Sequence, residues 1–240
     1  MESAAGEAPA GAVPLIIGHR GASAAHPENT LAAFEAARIQ GADGVELDVR
    51  RCADDVLVLH HDAQLPDGRL VREVLAADLP PGLPSLAEAL EATAGMFVNI
   101  EIKNSPADPD YDSEFGISLA VAGLVAGLGP ERRTLVSAFE MDSILRIRDT
   151  DPTIAIGWLT WGQADPAMLI GRAEGHSLAS INPHDLQVSR SFVERAHDAG
   201  LEVMVWTVDD PRRMMELADF GVDAIITNDP ALAVRTLRSR

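Results

Sequence analysis

The chain has 240 residues, of which 47% are hydrophobic and 23% charged, and its formal net charge is −18. This composition can supply the core of a globular protein, while the negative charge argues against nucleic acid or an anionic membrane as a standing partner. The single cysteine, Cys52, excludes an intrachain disulfide and a cysteine-rich zinc site, and it fits a reducing compartment.

Residues 1–14 are rich in Ala, Gly, Pro and Glu and contain no Lys or Arg. They lack the basic start and apolar centre of a signal peptide. No apolar run in the chain approaches the roughly 20 residues that cross a bilayer. We therefore expect a flexible N-terminal tail at 1–14 on a cytoplasmic protein that has no stable membrane anchoring.

Short apolar runs rich in Val, Ile and Leu recur after this tail, and helical patterns lie between them. The predicted strands are Leu15–Gly18, Gly44–Val49, Phe97–Ile102, Thr134–Ala138, Thr153–Leu159, Leu178–Ile181, Glu202–Val208 and Ala224–Thr227. The predicted helices include Thr30–Gln40, Ser85–Thr93, Ser113–Ala126, Met141–Asp149 and Ser189–Ala199. Several strands are apolar throughout, as parallel strands covered by helices are. Eight alternations without a long linker predict one α/β domain at 15–240, a closed (β/α)₈ TIM barrel.

Helix boundaries and one irregular stretch complete this prediction. Asn29-Thr30 and Ser189 are good N-cap residues, and Gly41 and Gly200 are good terminators. The largest irregular stretch lies at about 63–84 and contains several prolines and glycines. We expect it to form a short insertion at the rim of the site or a lid over it.

Polar residues stand where the first predicted strands end, and barrel active sites lie at the C-terminal ends of the strands. Glu46 and Asp48 are two residues apart, so their carboxylates point the same way and can share one cation. Such hard oxygen ligands suit Mg²⁺ or Ca²⁺, and Arg20 and Lys103 suit a phosphate. The pattern favours a metal-assisted phosphoester site.

The ordered set of motifs resembles the glycerophosphodiester phosphodiesterase family over about Leu15 to Pro230. The similar elements are Gly18–Gly21, Pro27–Thr30, Val45–Val49, His61–Asp62, Asn99–Lys103, Gly200–Val203, Trp206–Val208 and Gly221–Thr227. The resemblance implies a (β/α)₈ barrel that uses one divalent cation, Mg²⁺ or Ca²⁺. It also implies hydrolysis of a small-molecule glycerophosphodiester to glycerol 3-phosphate and an alcohol.

The resemblance assigns a role to each matching side chain. The implied metal ligands are Glu46, Asp48 and Glu101. The implied general acid and base are His19 and His61. The implied substrate contacts are Arg20 and Lys103, which bind the phosphate, and Trp206, which forms a wall of the pocket. His60 precedes His61 directly, and we favour His61 as the catalytic member of the pair.

The chain departs from the family after His61. The segment Ala63–Gly68 lacks the Arg-Thr-Thr-type stretch of many members, and only 39 residues separate His61 from Glu101. A lysophospholipid-cleaving phosphodiesterase therefore remains an alternative, with an apolar groove supplied by Leu65, Leu70, Leu75 and Leu79. A second alternative is a non-catalytic binding derivative, which would be expected to lose a histidine or an acid that this chain keeps. An amidohydrolase would carry a His-X-His on its first strand, and this chain has none.

Overall fold

A computed structural model describes residues 13–129 and 133–238; residues 1–12 of the predicted tail lie outside that part. The strands are β1 Leu15–His19, β2 Gly44–Arg51, β3 Leu57–Leu59, β4 Phe97–Ile102, β5 Thr134–Ala138, β6 Ile156–Thr160, β7 Ser180–Pro183, β8 Glu202–Val205 and β9 Ala224–Thr227. The α-helices are α1 Leu31–Ile39, α2 Leu86–Ala92, α3 Gly116–Ala126, α4 Met141–Thr150, α5 Pro166–Gly175, α6 Arg190–Asp198, α7 Pro211–Phe220 and α8 Pro230–Arg238.

The sheet closes on itself. From β1 the strands pair in the order β9, β8, β7, β6, β5, β4 and β2, all in parallel, and β2 pairs with β1 again. The predicted (β/α)₈ barrel is confirmed. One strand is additional: β3 runs antiparallel to the end of β2, with Val49 opposite Leu59 and Arg51 opposite Leu57. This hairpin brings the residues after β3 back to the C-terminal end of the barrel.

Thr30 and Ser189 cap helices, and Gly41 and Gly200 follow helix ends, as the sequence predicts. The Thr30 and Ser189 side chains accept hydrogen bonds from backbone N–H groups in the first turns of α1 and α6. Gly41 and Gly200 follow these helices closely and have φ values of +87° and +75°, where a glycine avoids the strain of a side chain.

Several predicted boundaries are wrong: the strand predicted to run to Val208 ends at Val205, and the strand predicted from Leu178 starts at Ser180. At two other boundaries an aspartate carboxylate binds the backbone locally. The strand predicted from Thr153 starts only at Ile156, since the Asp151 carboxylate accepts from the Thr153 N–H and hydroxyl. The helix predicted from Ser113 starts only at Gly116, since the Asp112 carboxylate accepts from the Gly116 N–H. Aspartate offers the backbone such alternatives to regular structure at short range.

The segment 63–84 carries two short 3₁₀ turns, Val71–Glu73 and Ala76–Asp78. Its apolar side chains pack into a small cluster beside the barrel, formed by Cys52, Val58, Leu65, Val71 and Val74 with Leu79 and Leu83 against it. Leu65 is only 3% exposed. Leu65 and Leu79 therefore contribute to packing, although Leu65 also borders a surface depression beside His60, and Leu75 is 50% exposed. Among the described helices, none is both long enough and apolar enough to cross a membrane.

Candidate active site

Three buried carboxylates meet at the C-terminal end of the barrel. Glu46 and Asp48 project from β2, and Glu101 lies on β4 directly beside Asp48 in the sheet register. One oxygen of each lies within 4.8 Å of the others, and all three residues are buried. The i, i+2 spacing on β2 and the parallel register of β4 place these groups together.

Burial opposes the ionisation of all three carboxylates. Burial, followed by repulsion from Asp48 and Glu101, raises the pKa of Glu46 well above its ordinary value. Burial also raises the pKa of Glu101. Glu46 Oε1 is buried and accepts no hydrogen bond from the described part of the chain. A set of buried carboxylate oxygens with an unused acceptor is the kind of donor set that Mg²⁺ or Ca²⁺ takes, so the residues present fit a divalent cation.

Two cationic side chains border the carboxylates. Lys103 Nζ lies 2.5 Å from Glu101 Oε1 and 3.0 Å from Asp48 Oδ1. Arg20 Nε lies 3.0 Å from Asp48 Oδ2, and the Arg20 guanidinium also binds Glu28. Burial opposes ionisation of Asp48, but Lys103 and Arg20 together lower its pKa to about 2. Asp48 is therefore held as an anion between two cations.

Asn29 holds this arrangement in place, a role that the sequence patterns did not reveal. Its side-chain N–H₂ donates to Asp48 Oδ2 at 2.8 Å, and its side-chain oxygen accepts from the Asp48 N–H at 3.1 Å. Asn29 is 2% exposed and has φ +56°, a left-handed conformation that asparagine tolerates better than most residues. Its motif neighbours were visible in the sequence, but its partner lies 19 residues away.

His19 sits at the end of β1 with a fixed ring. Its Nδ1 lies 2.7 Å from the side-chain oxygen of Asn228, whose N–H₂ in turn donates to Asp209. Because the Asn228 oxygen can only accept, His19 Nδ1 carries the proton and Nε2 is the free nitrogen. Nε2 lies 3.9 Å from Glu46 Oε2. Burial, followed by the charge of Arg20, lowers the pKa of His19, which favours a neutral imidazole beside the carboxylates.

His61 and His60 differ in their surroundings. His61 lies on a cavity of about 200 Å³ that Glu101 and Lys103 also line, and its Nδ1 lies 2.7 Å from Asp62 Oδ1. Burial, followed by Lys103, lowers the pKa of His61. His60 instead lines a neighbouring depression, and its Nδ1 donates to the Asp62 carbonyl oxygen at 2.8 Å.

The opposite side of the barrel mouth is aromatic. Trp206, after β8, donates its indole N–H to the Asn182 carbonyl oxygen at 2.8 Å. Its ring packs edge-on against Phe139 at 5.4 Å and is stacked with Trp161 at 6.3 Å, while the His184 ring packs against both tryptophans. Phe139 also lines the cavity that holds His61 and Lys103. We call Phe139, Trp161, His184 and Trp206 the aromatic wall.

Comparison with known proteins shows the family to which this chain belongs. The model of the glycerophosphoryl diester phosphodiesterase family matches residues 19–232. The chain is 30% identical to a glycerophosphodiester phosphodiesterase of Caldanaerobacter subterraneus subsp. tengcongensis, over 93% of this chain and 98% of that protein. The chain belongs to the glycerophosphodiester phosphodiesterase family. It is therefore a phosphoric diester hydrolase.

Other members of this family are similar over most of their length. The Mycobacterium tuberculosis protein named "Probable glycerophosphodiester phosphodiesterase 1" is 56% identical, over 90% of each chain. An Oleispira antarctica phosphodiesterase, solved in complex with the product sn-glycerol-3-phosphate, superposes with a TM-score of 0.84 at 25% identity, covering 94% of this chain and 97% of that one.

The candidate site holds the three carboxylates, both cationic side chains, His19 and His61 at one side of the barrel mouth. Trp206 lies in the aromatic wall at the other side. Three contributors were missed as partners, although each stands in or beside a matching motif: Asn29, Asp62 and Asn228. Phe139 and Trp161 were missed altogether, because single aromatic residues after β5 and β6 carry no pattern in the sequence.

Proposed function

We propose that this phosphodiesterase hydrolyses small glycerophosphodiesters to glycerol 3-phosphate and an alcohol, with a divalent cation held by Glu46, Asp48 and Glu101. The observation that carries the proposal is the buried triad of carboxylates, whose oxygens lie within 4.8 Å of one another beside two cationic side chains. The all-oxygen donor set favours Mg²⁺ or Ca²⁺ over metals that prefer thiolates. When bound there, the cation supplies positive charge that stabilises the phosphoryl oxygens.

Arg20 and Lys103 bind and orient the phosphate in this proposal. In the described structure both are paired with carboxylates, and Lys103 is nearly buried. Burial disfavours its charge, but Glu101 and Asp48 raise the pKa of Lys103, so it stays cationic at neutral pH. Fixed positive groups in a buried site offset the negative charge that develops on a phosphoryl oxygen.

His19 and His61 act as the general acid and base. The reaction needs one group to take a proton from the attacking hydroxyl or water and another to protonate the departing alkoxide. His19 presents a free Nε2 near the carboxylates, with its Nδ1 held by Asn228. His61 lies two residues after the end of β3 and lines the cavity, and its Nδ1 is held by Asp62. The two rings thus reach the site from different segments of the chain, the end of β1 and the loop after β3.

Trp206 and the rest of the aromatic wall accommodate the organic part of the substrate. The cavity at the mouth, of about 200 Å³, suits a small water-soluble diester. The lysophospholipid alternative requires an apolar groove built from Leu65, Leu70, Leu75 and Leu79. Leu65 and Leu79 pack into the cluster beside the barrel, whereas Leu75 is 50% exposed. The small cavity beside His61 supports the small substrate in this proposal.

The proposal is tested by assaying glycerophosphocholine hydrolysis through the release of glycerol 3-phosphate. Activity should be lost after exhaustive chelation with EDTA and return on addition of Mg²⁺ or Ca²⁺. Lysophosphatidylcholine, assayed in parallel, should be cleaved more slowly. Full activity in excess EDTA would refute the role of the cation, and faster cleavage of lysophosphatidylcholine would replace the proposed substrate class with the alternative.

A further inference from the structure

Two consecutive arginines end β2 and bind the same loop. Arg50 and Arg51 both contact the segment between β4 and α3, residues 103–115. Arg50 lies two residues after Asp48 and so points to the same face of the strand, whereas Arg51 points to the other. The Arg50 side chain is only 4% exposed, against 32% for Arg51. Arg50 is thus a buried cation at the edge of the active site.

The Arg50 guanidinium forms hydrogen bonds with the backbone of His61. Its Nε donates to the His61 carbonyl oxygen at 3.0 Å, and its Nη2 donates to the same oxygen at 2.7 Å. Such a fork restricts both the position and the direction of the peptide that carries the His61 ring. Arg50 also lines the cavity on which His61 lies.

The same guanidinium holds the loop after β4. Its Nη1 donates to both carboxylate oxygens of Asp110 at 2.9 Å, and its Nη2 donates to Asp108 Oδ2 at 3.0 Å. Asp110 is itself 7% exposed in its side chain. A single planar group therefore joins the strand that carries Asp48, the backbone of His61 and the loop that follows Lys103.

Lysine at position 50 cannot make the set of hydrogen bonds that Arg50 makes. The five hydrogen bonds of Arg50 use fixed donors in one plane, whereas an ammonium group is a compact point charge without that planar fork. Replacement by lysine keeps the positive charge for Asp108 and Asp110 but cannot reproduce the fork on His61. The Arg50→Lys substitution therefore removes the paired hydrogen bonds to His61 while it keeps the positive charge.

We propose that Arg50 is a positioning residue for catalysis, which acts by holding His61 in register with the carboxylate triad. This inference rests on the proposed catalytic role of His61. The hydrogen bonds and ion pairs of Arg50 go to His61, Asp108 and Asp110 and not, within the described part of the chain, to the phosphate contacts or the carboxylate triad. A misplacement of a catalytic group by about 1 Å can lower a rate by roughly 100-fold, so a backbone anchor of this kind has a measurable effect.

The experiment is a double-mutant cycle with Arg50→Lys and His61→Ala, measuring kcat and KM for glycerophosphocholine. Arg50→Lys should lower kcat by about 10- to 100-fold with a much smaller change in KM. In the His61→Ala background the same substitution should change kcat by no more than about twofold, the scatter expected when no interaction remains. Arg51→Lys is the matched control, because Arg51 binds Asp55 and Asp112 but not His61; it should leave kcat within that scatter in both backgrounds.

The outcomes separate this inference from the proposed function. If His61→Ala leaves kcat at the wild-type value, the catalytic role of His61 fails and the positioning role fails with it. If His61→Ala lowers kcat as expected but Arg50→Lys lowers it by the same factor in both backgrounds, the proposed function stands and the positioning role is overturned. A purely structural role would give this second result, because it would not depend on His61.

A second variant covers the case in which Arg50→Lys does not fold. Asp110→Asn removes the charge that anchors Arg50 to the loop and leaves both bonds to His61 possible. It should lower kcat less than Arg50→Lys, and this decrease should also disappear in the His61→Ala background. A decrease of equal size in both backgrounds would contradict the proposal.

Discussion

The two halves of the barrel mouth are built differently. The half formed by β1 to β4 is charged and buried: Asp48 is 0% exposed and has Arg20, Lys103 and Asn29 within hydrogen-bond distance. The half formed by β5 to β8 is aromatic and open: Trp161 is 69% exposed and Phe139 is 42% exposed. The charged half is fixed by many short polar contacts, whereas the aromatic half is held by ring packing together with the hydrogen bond from Trp206 to Asn182.

This difference suggests that the two halves of the barrel mouth contribute to different steps of the reaction. Electrostatic stabilisation is strongest where water is excluded and dipoles are fixed, which describes the charged half. Exposed rings contribute apolar contact and shape, and each such contact is worth much less. We therefore expect changes in the charged half to act on kcat, and changes in the aromatic half to act on substrate affinity and choice.

The largest effect should come from the carboxylate triad. Glu46→Gln removes one charged ligand and should lower both cation affinity and kcat, the latter by at least about 10²-fold, comparable to the loss of a key group that stabilises the transition state. Calorimetric titration with Mg²⁺ and Ca²⁺ and steady-state kinetics measure the two effects. Glu35→Gln is the control, because Glu35 is exposed and forms its ion pair, among the described residues, with Arg38 on α1. Wild-type cation affinity in Glu46→Gln would contradict the assignment.

The next effect concerns the histidines. Single His19→Ala and His61→Ala substitutions should each lower kcat by roughly 10²–10⁴-fold, the usual contribution of one acid–base group. Cation affinity should be retained, because neither ring is assigned as a ligand. His60→Ala is the matched control, since His60 lines a different depression and its Nδ1 donates to the backbone oxygen of Asp62. If His60→Ala abolished turnover while His61→Ala did not, the assignment within the pair would be wrong.

The contrast between the halves also explains how much the sequence could predict. The barrel and the members of the charged half were predictable, because their residues stand in contiguous motifs at strand ends and strand spacing fixes where they point. Asn228 was not predictable as the partner of His19, since 209 residues separate them. Arg50 was not predictable as an anchor, because its partner on His61 is a backbone oxygen, which has no signature in the sequence. Phe139 and Trp161 meet Trp206 only after the barrel closes.

A smaller effect is expected at the centre of the aromatic wall. Trp206→Ala should lower kcat/KM for glycerophosphocholine by roughly 2- to 10-fold, as expected for the loss of ring contacts worth about 0.5–1.5 kcal/mol, mainly through a higher KM. Trp206→Phe keeps a ring and loses the hydrogen bond to Asn182, so it should recover most of the affinity. A decrease confined to kcat would show that Trp206 acts in the catalytic step. It would contradict the expectation that the aromatic half acts on substrate affinity.

The smallest effect should come from the exposed edge of the wall. Trp161→Ala removes a ring that is largely in solvent and should change KM by no more than about threefold, with kcat unchanged, because exposed ring contacts contribute little. Comparing KM for two diesters that differ only in the alcohol sharpens the result, since the change should depend on the alcohol. An equal change for both substrates would show that this edge does not contact the departing group.

The central claim is that Glu46, Asp48 and Glu101 hold one divalent cation. The most direct measurement is an anomalous-scattering map of crystals soaked in Mn²⁺, which takes the same oxygen ligands as Mg²⁺ and Ca²⁺. We predict a single strong peak with an oxygen of each of the three carboxylates at roughly 2.0–2.6 Å. The absence of a peak among these carboxylates at saturating Mn²⁺, or a peak that one of them does not reach, would contradict the account.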